Sequence, residues 1–439
     1  MKKILSADLY FEKSQFLRIV LEPDRVDEIS SGEEAGLSLR TIDKDFKNSL
    51  QYVTNHFEEF LKEKAKDFFK KELLLSFAES IKNFDHSSKG EPFSLNRAFN
   101  FLEELEKRVP KLPEIKHYRI LLSALNKKIV ILNEEEVRKT ERNYFRVAVL
   151  VVAEEKGKLE RGYEVLGYSL PMDEALSFDS RFYELSERAS KLARLMLSAR
   201  KAPAGVMPVI LSGEAGGTMI HEAVGHGLEA DHAEEGLSVY SGRLGEKVAS
   251  SFITVIDDPT LPHLYGSYEI DDEGSPAEKV ILIEKGVLKN FLYDRFTALK
   301  FGKKSNGHGR RESFRELPIP RMANTYIAPG PHSTEEILKS IDKGLLVKRM
   351  GGGEVNPLTG DFVFEVREGY YIERGEILYP VKGATLVGNG PKVLEIIDMV
   401  GQDLHFDPGT CGKDGQGVPV SDGQPTLRIP EITVAGVLE

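Results

Sequence analysis

This chain of 439 residues has one cysteine and no tryptophan. A lone Cys411 excludes an intrachain disulfide and suits a reducing cytoplasm. Little Cys and no Trp beside abundant Lys and Glu is also a composition found in proteins of thermophiles. Long apolar runs are missing too: a membrane span needs about 20 consecutive apolar residues, and no stretch approaches that. The opening "MKKILSADLYFEK" carries two lysines near its start, but its apolar run breaks at Asp8, so no secretory leader is expected. Positive charge is outweighed: 59 Lys and Arg against 70 Asp and Glu leave a formal net charge of -11. An electrostatic nucleic-acid binder needs a basic face that releases counterions, so direct nucleic-acid contact is not expected.

What remains is a globular composition, 41% apolar and 29% charged, in a chain long enough for two or three domains. Its character changes near residue 203. Before that point, "SQFLRIVLE" (14–22), "AGLSLRTID" (35–43) and "NYFRVAVLVVAEE" (143–155) read as strands. Residues 55–80 and 183–205 read as helices; the second has Leu185, Ala189, Leu192 and Met196 on one stripe and stops at Pro203 and Gly205. The wider segment 55–130 reads as long, helical and charged. After residue 203, glycines crowd in, and 251–259, 279–294, 361–381 and 426–437 read as strands or hairpins with "EKG" and "ERG" turns. Helical signals there are limited to about 218–230, 335–343 and 391–400. The triplet "GGG" (351–353) reads as a mobile or tightly turned loop. The fold expected is α+β: an N-terminal α/β domain, 1–202, with a mixed sheet and long helices, then a β-rich, mainly antiparallel domain, 203–439, carrying the functional site.

The densest chemistry lies in "GGTMIHEAVGHGLEADH" (216–232). It is similar to the zinc-protease pattern H-E-x-x-H, but His221 and His226 are five apart. Positions four apart lie about 40° apart around a helix, and positions five apart about 140°. A regular α-helix therefore cannot aim both imidazoles at one metal. Either a π-type turn, with its i→i+5 bond, realigns them, or the helix ends at Gly225 and a relaxed backbone, made flexible by the flanking Gly225 and Gly227, places His226. The plain alternative is two ordinary polar residues at a helix end. Two imidazoles suit Zn²⁺, which in catalytic sites takes three protein ligands and leaves one position for water. Glu222, beside a ligand, would move the proton.

Candidates for a third ligand are His232, Asp231, Glu229 and the distant Cys411. A lone cysteine is more often a small buried hydrophobe, but the run of Gly, Asp, Gln and Pro around Cys411 reads as a loop. "SGEAGG" (212–217) lacks the Lys-Ser/Thr of a P-loop and reads as a close-approach turn feeding the His221 helix. "GHGRRESFRELPIPRMANTY" (307–326) reads by default as a solvated loop. The sharper reading makes Arg310, Arg311, Arg315 and Arg321 clamps on substrate carboxylate or carbonyl groups.

Taken together, "GGTMIHEAVGHGLEAD", "GRRESFRELPIPRMANTY", "EGYYIERGEILYPVKGATLVGNG" and "CGKDGQGVPVSDGQPTLRI" resemble the TldD branch of the TldD/PmbA metalloprotease family. The resemblance spans most of 203–439, with a fainter likeness in "ADLYFEK…VDEISSGEEAGLSLRTI". It implies a zinc site made by His221, His226 and Cys411, with Glu222 as catalytic acid/base. It also implies dimers enclosing a deep cleft, either homodimers or heterodimers with a paralogue lacking the metal motif. Implied substrates are unfolded or flexible polypeptides, which the β-rich half would hold as an added strand. Members of the family are often labelled modulators of DNA gyrase. The expectation is a cytoplasmic zinc-dependent peptidase. The competing readings are a non-hydrolytic regulatory or scaffold protein, and a structural zinc protein with a closed four-ligand site.

Overall fold

The first two strands, β1 (Ile4–Glu22) and β2 (Arg25–Asp43), are each 19 residues long. In this computed structural model, residues 4–87 and 93–436 are described. With β3 (Asn48–Val53), β4 (Ile115–Leu132), β5 (Val137–Glu155) and β6 (Lys158–Tyr168) they form one sheet in the order β3-β2-β1-β4-β5-β6. The expected mixed sheet is not found, because every pair is antiparallel. The cause is connection length: most neighbours are joined by a few residues, and parallel strands need a crossover of a dozen or more. At the β5–β6 turn, Lys156 and Gly157 both have positive φ, 51° and 78°, as a two-residue hairpin requires.

The helices enter mainly through the single long connection, β3 to β4. They are Lys71–Ser87 and Leu95–Lys107. The expected long helical segment therefore ends at Lys107. Part of it, residues 88–92, lies outside the described residues. The remainder is β4, where Ile120, Leu122 and Ala124 are buried at alternate positions, the period of a strand. The 183–205 helix is Leu185–Leu197, with its predicted stripe buried.

Alternation along β1 sets up the whole molecule. Leu9, Phe11, Leu17, Ile19 and Leu21 point to the helices. On the other face, Tyr10 packs with Ile129 and Ile131 of β4 and with Phe314 of the second half. Asp8 lies on that face too and pairs with Arg40 at 2.5 Å, which also reaches Glu273 at 2.5 Å. Arg142 pairs with Asp272 at 2.8 Å. The two halves thus meet through buried, paired charges.

The second half is β-rich and mainly antiparallel, as expected, with three parallel strand pairs among the described residues. Lys343–Val355 pairs with both Gly205–Leu211 and Asp361–Glu373, which closes these strands with Thr385–Asn389 and Leu427–Ala435 into a ring. The "GGG" triplet lies inside Lys343–Val355 and is not a loop. Its pairing slips there, and a Cβ on Gly353 would come within 2.0 Å of the Phe364 ring, so the glycine makes room for packing. The strand predicted at 426–437 is Leu427–Ala435; residue 437 lies outside the described residues. A second sheet of six strands ends in Asn324–Ile327, Gln416–Gln424 and, at its edge, His405–Lys413. Among the described residues, no helix is long and apolar enough to cross a membrane.

Candidate metal centre

The "SGEAGG" turn brings the histidine segment against the second sheet. A Cβ on Gly217 would meet Gly423 N at 2.4 Å, so only glycine permits this approach. The chain then makes a short α-turn, Thr218–Ile220, a π-turn, His221–Gly225, and a 3-10 turn, His226–Leu228. The His226 N–H donates to His221 O, the i→i+5 bond of a widened turn. Widening realigns the two imidazoles: their centroids are 5.0 Å apart with planes at 89°. Gly225 and Gly227 do not act through backbone freedom, as the sequence suggested. Gly225 has ordinary helical torsions, φ -56° and ψ -52°. Both glycines instead face packed side chains, Met322 and Tyr240.

Cys411 closes the group. His221, His226 and Cys411 place one ligand atom each within 4.8 Å of the others, and Cys411 Sγ lies 3.5 Å from His226 Nε2. The loop reading of Cys411 is overturned, since it sits on the edge strand His405–Lys413, opposite Val418, and is buried. The composition concealed a hairpin. Asp414 and Gly415, with φ 51° and 77°, form its two-residue turn, and buried Cys411, Lys413, Gln416 and Val418 alternate around it.

Each imidazole is held from behind. His221 Nδ1 is 2.6 Å from Asp422 Oδ1, and His226 Nδ1 is 2.9 Å from Glu229 Oε2. An ionised carboxylate only accepts, so both Nδ1 atoms donate, and each Nε2 is the nitrogen left for a cation to take in place of a proton. Glu229, a candidate third ligand, is thereby engaged on the far side of His226. Asp231 bonds Lys413, and His232 Nδ1 faces His226 O at 3.0 Å. Sequence reasoning missed Asp422. It read Glu229, three residues after His226, only as a candidate ligand.

The donor set fits a cation. Burial pushes the Cys411 thiol up, but His221 and His226 outweigh it and pull the thiol down to about 4. Burial lowers His226, while Glu229 and Cys411 raise it to about 10; His221 is likewise raised well above its ordinary value. Thiolate and imidazolium charges thus hold one another in place, and a divalent cation would supply the same positive charge to two nitrogens and one sulfur. Glu222 is 37% exposed, with Oε2 4.0 Å from His226 Nε2, at the open side of the group.

Of the four arginines expected to clamp substrate, three are turned into the protein. Arg310, Arg311 and Arg321 are buried and serve the chain's own backbone. Arg310 donates to Met322 O and Pro419 O, and Arg321 to Cys411 O at 2.5 Å. Arg311 donates to Ser38 Oγ and Glu316 O, and its N–H bonds Asp272. Arg315 pairs with Glu34. The segment is neither solvated nor free: it straps the cysteine hairpin to the N-terminal sheet.

A histidine pair on a widened turn and a buried thiol, with a half-exposed glutamate beside them, make a group that could hold a metal ion. Comparison with known proteins agrees. Residues 204–436 match the PmbA/TldA metallopeptidase C-terminal domain, and residues 7–70 match domain 1 of the same metallopeptidases. A "Metalloprotease TldD homolog" of Haemophilus influenzae is 35% identical, over 98% of this chain and 92% of its own. A "Zinc metalloprotease TldD homolog" of Saccharolobus solfataricus is 29% identical, over 98% and 96%. A crystal structure of a Thermotoga maritima protein, described as a candidate modulator of a DNA gyrase, superposes with a TM-score of 0.77 at 22% identity, covering 98% of this chain and 96% of that one. The chain belongs to the PmbA/TldA metallopeptidase family, and it is a metallopeptidase.

Proposed function

We propose that the enzyme is a zinc-dependent peptidase in which His221, His226 and Cys411 hold the metal and Glu222 is the general acid/base. The observation that carries this is the convergence of a histidine pair on one turn with a cysteine 185 residues after His226, each imidazole's other nitrogen being held by a carboxylate. Zinc held there would supply Lewis acidity. Glu222 would take the proton from the attacking water and deliver it to the leaving amine. Asp422 and Glu229 keep both rings in the tautomer that presents Nε2. A site with three protein donors and an adjacent free carboxylate favours catalysis over a closed structural site.

The substrate is an unfolded or flexible polypeptide. Cys411 lies on the outer strand of its sheet, and an extended backbone adds to such an edge through main-chain bonds, with little demand on side chains. The working assembly is a homodimer, or a heterodimer with a paralogous subunit lacking the metal motif, in the cytoplasm. The test is zinc content together with hydrolysis of an unfolded peptide, for wild type and Glu222→Gln. Retained zinc with activity lowered by about 10²–10⁴-fold is expected. Full activity in the variant would refute the assignment.

A further inference from the structure

Cys411 and Lys413 are two residues apart on one strand, so their side chains leave the same face. Both are buried. The Lys413 ammonium donates to Glu229 Oε2 at 3.0 Å, to Asp231 at 2.7 Å and to Pro320 O at 3.1 Å. Glu229 Oε2 is the same atom that faces His226 Nδ1. A closed circuit results: His226 to Glu229, Glu229 to Lys413, two residues of strand to Cys411, and Cys411 Sγ back to His226 Nε2. The strap secures the circuit from outside, because Pro320 O accepts from Lys413 and Arg321 donates to Cys411 O.

We propose that Lys413 is a positioning residue of the metal centre, tying the carboxylate behind His226 to the strand that carries Cys411. The ligand set is then assembled before a cation enters. This rests on the ligand assignment above. It goes further in giving a role to a residue that touches neither metal nor substrate.

The geometry favours a brace over simple charge compensation. An ammonium serving only to neutralise the fully buried Glu229 need not also reach a carbonyl on a third segment. Lys413 uses all three of its donors, on Glu229, Asp231 and Pro320, and they fix the cysteine strand against the histidine turn in direction and in depth. The ring of His221 lies outside this circuit and depends on Asp422, so loss of Lys413 should disturb one half of the ligand set and spare the other.

The test is zinc affinity by chelator competition on the full chain, with urea unfolding of the metal-free protein measured beside it. Lys413→Met should weaken zinc binding by about tenfold or more, the range seen when groups behind metal ligands are removed, and Lys413→Arg should recover part of the loss. Because Lys413→Met leaves Glu229 buried and uncompensated, it can fail to fold, so the double variant with Glu229→Gln is measured as well. A neutral glutamine removes the uncompensated charge and still accepts from His226. If Lys413 is a brace, the double variant regains stability but binds zinc more weakly than Glu229→Gln alone. If it binds zinc as tightly as Glu229→Gln, the brace is overturned. Cys411→Ser separates this from the underlying assignment. Undiminished affinity in Cys411→Ser would overturn the ligand set and the brace with it. Loss in Cys411→Ser with undiminished affinity in Lys413→Met would overturn the brace alone.

Discussion

Gly225→Ala separates two reasons for a glycine in the histidine turn. If the turn needed backbone freedom there, alanine would have to distort it. The torsions at Gly225 are ordinary helical ones, so backbone propensity alone makes alanine stabilising by about 1 kcal/mol. The surroundings predict the reverse. A Cβ at this position would lie 2.0 Å from Met322 Sδ and 3.0 Å from its Cε. Non-bonded heavy atoms rest at about 3.5–4.0 Å, so the sulfur would have to retreat by roughly 1.5 Å. Met322 has little room to do so. It is fully buried, its carbonyl is held by Arg310, and the next N–H is held by Asp257. Overpacking of a core costs about 1–3 kcal/mol, and an overlap this deep belongs at the upper end. Subtracting the propensity gain leaves a net loss of about 1–2 kcal/mol. The displaced turn also carries His226 away from Cys411, so zinc affinity should fall with stability. Urea unfolding of the metal-free protein reads the first effect, and chelator competition reads the second. Met322→Ala added to Gly225→Ala should cost less than the sum of the two single changes, since it removes the obstruction. An alanine variant as stable as wild type, with undiminished zinc affinity, would refute the packing argument.

Three other outcomes follow from the same contacts. Asp422→Asn should weaken zinc binding about 10–100-fold while leaving the fold intact, because only the partner of His221 Nδ1 is changed; chelator competition checks it. Phe314→Ala should destabilise by about 3–5 kcal/mol, since its ring fills the space over Gly36, where a Cβ would sit 2.1 Å from it; an unchanged urea midpoint would show that the strap does not join the halves. Acid should weaken the fold through two of its interior carboxylates, Asp257 and Asp272. Burial raises Asp257 and Asp272, but the His308 hydrogen bond and the Arg142 charge outweigh it and hold both below the ordinary value. A depressed carboxyl stabilises above its unfolded pKa, about 3.9, and that contribution is lost as pH falls through the lower folded value. Urea midpoints should therefore decline steeply below about pH 4, and Asp272→Asn should flatten the decline.

Much of the site was legible from local chemistry. The five-residue spacing of His221 and His226 already required a widened or broken turn, because helix periodicity allows no other way to aim both rings together. The glycines beside His226 were read as a source of backbone flexibility, since a sequence records small residues without saying whether torsion or a neighbour demands them. The arginines were misread for a related reason. A loop rich in charge is by default solvated, and nothing local reveals that Arg310 and Arg321 donate to carbonyls of the distant cysteine hairpin while Arg311 reaches Ser38. In the first half, alternation identified the strands, but helices between them suggested crossovers. The sheet is antiparallel because most of its connections are only a few residues long.

The sequence by itself determined the kinds of group available and the local geometry each could adopt: an imidazole pair on one turn, a glutamate beside it, one thiol, and the hairpins set by two-residue turns. These depend on neighbours a few residues away, and short-range sterics govern them. Only the tertiary structure decided which groups meet. Asp422 behind His221, Lys413 behind Glu229 and the strap across the cysteine hairpin all join segments far apart in the chain. Such contacts exist because the sheets and the buried interface between the halves bring those segments together, and no local rule contains that information.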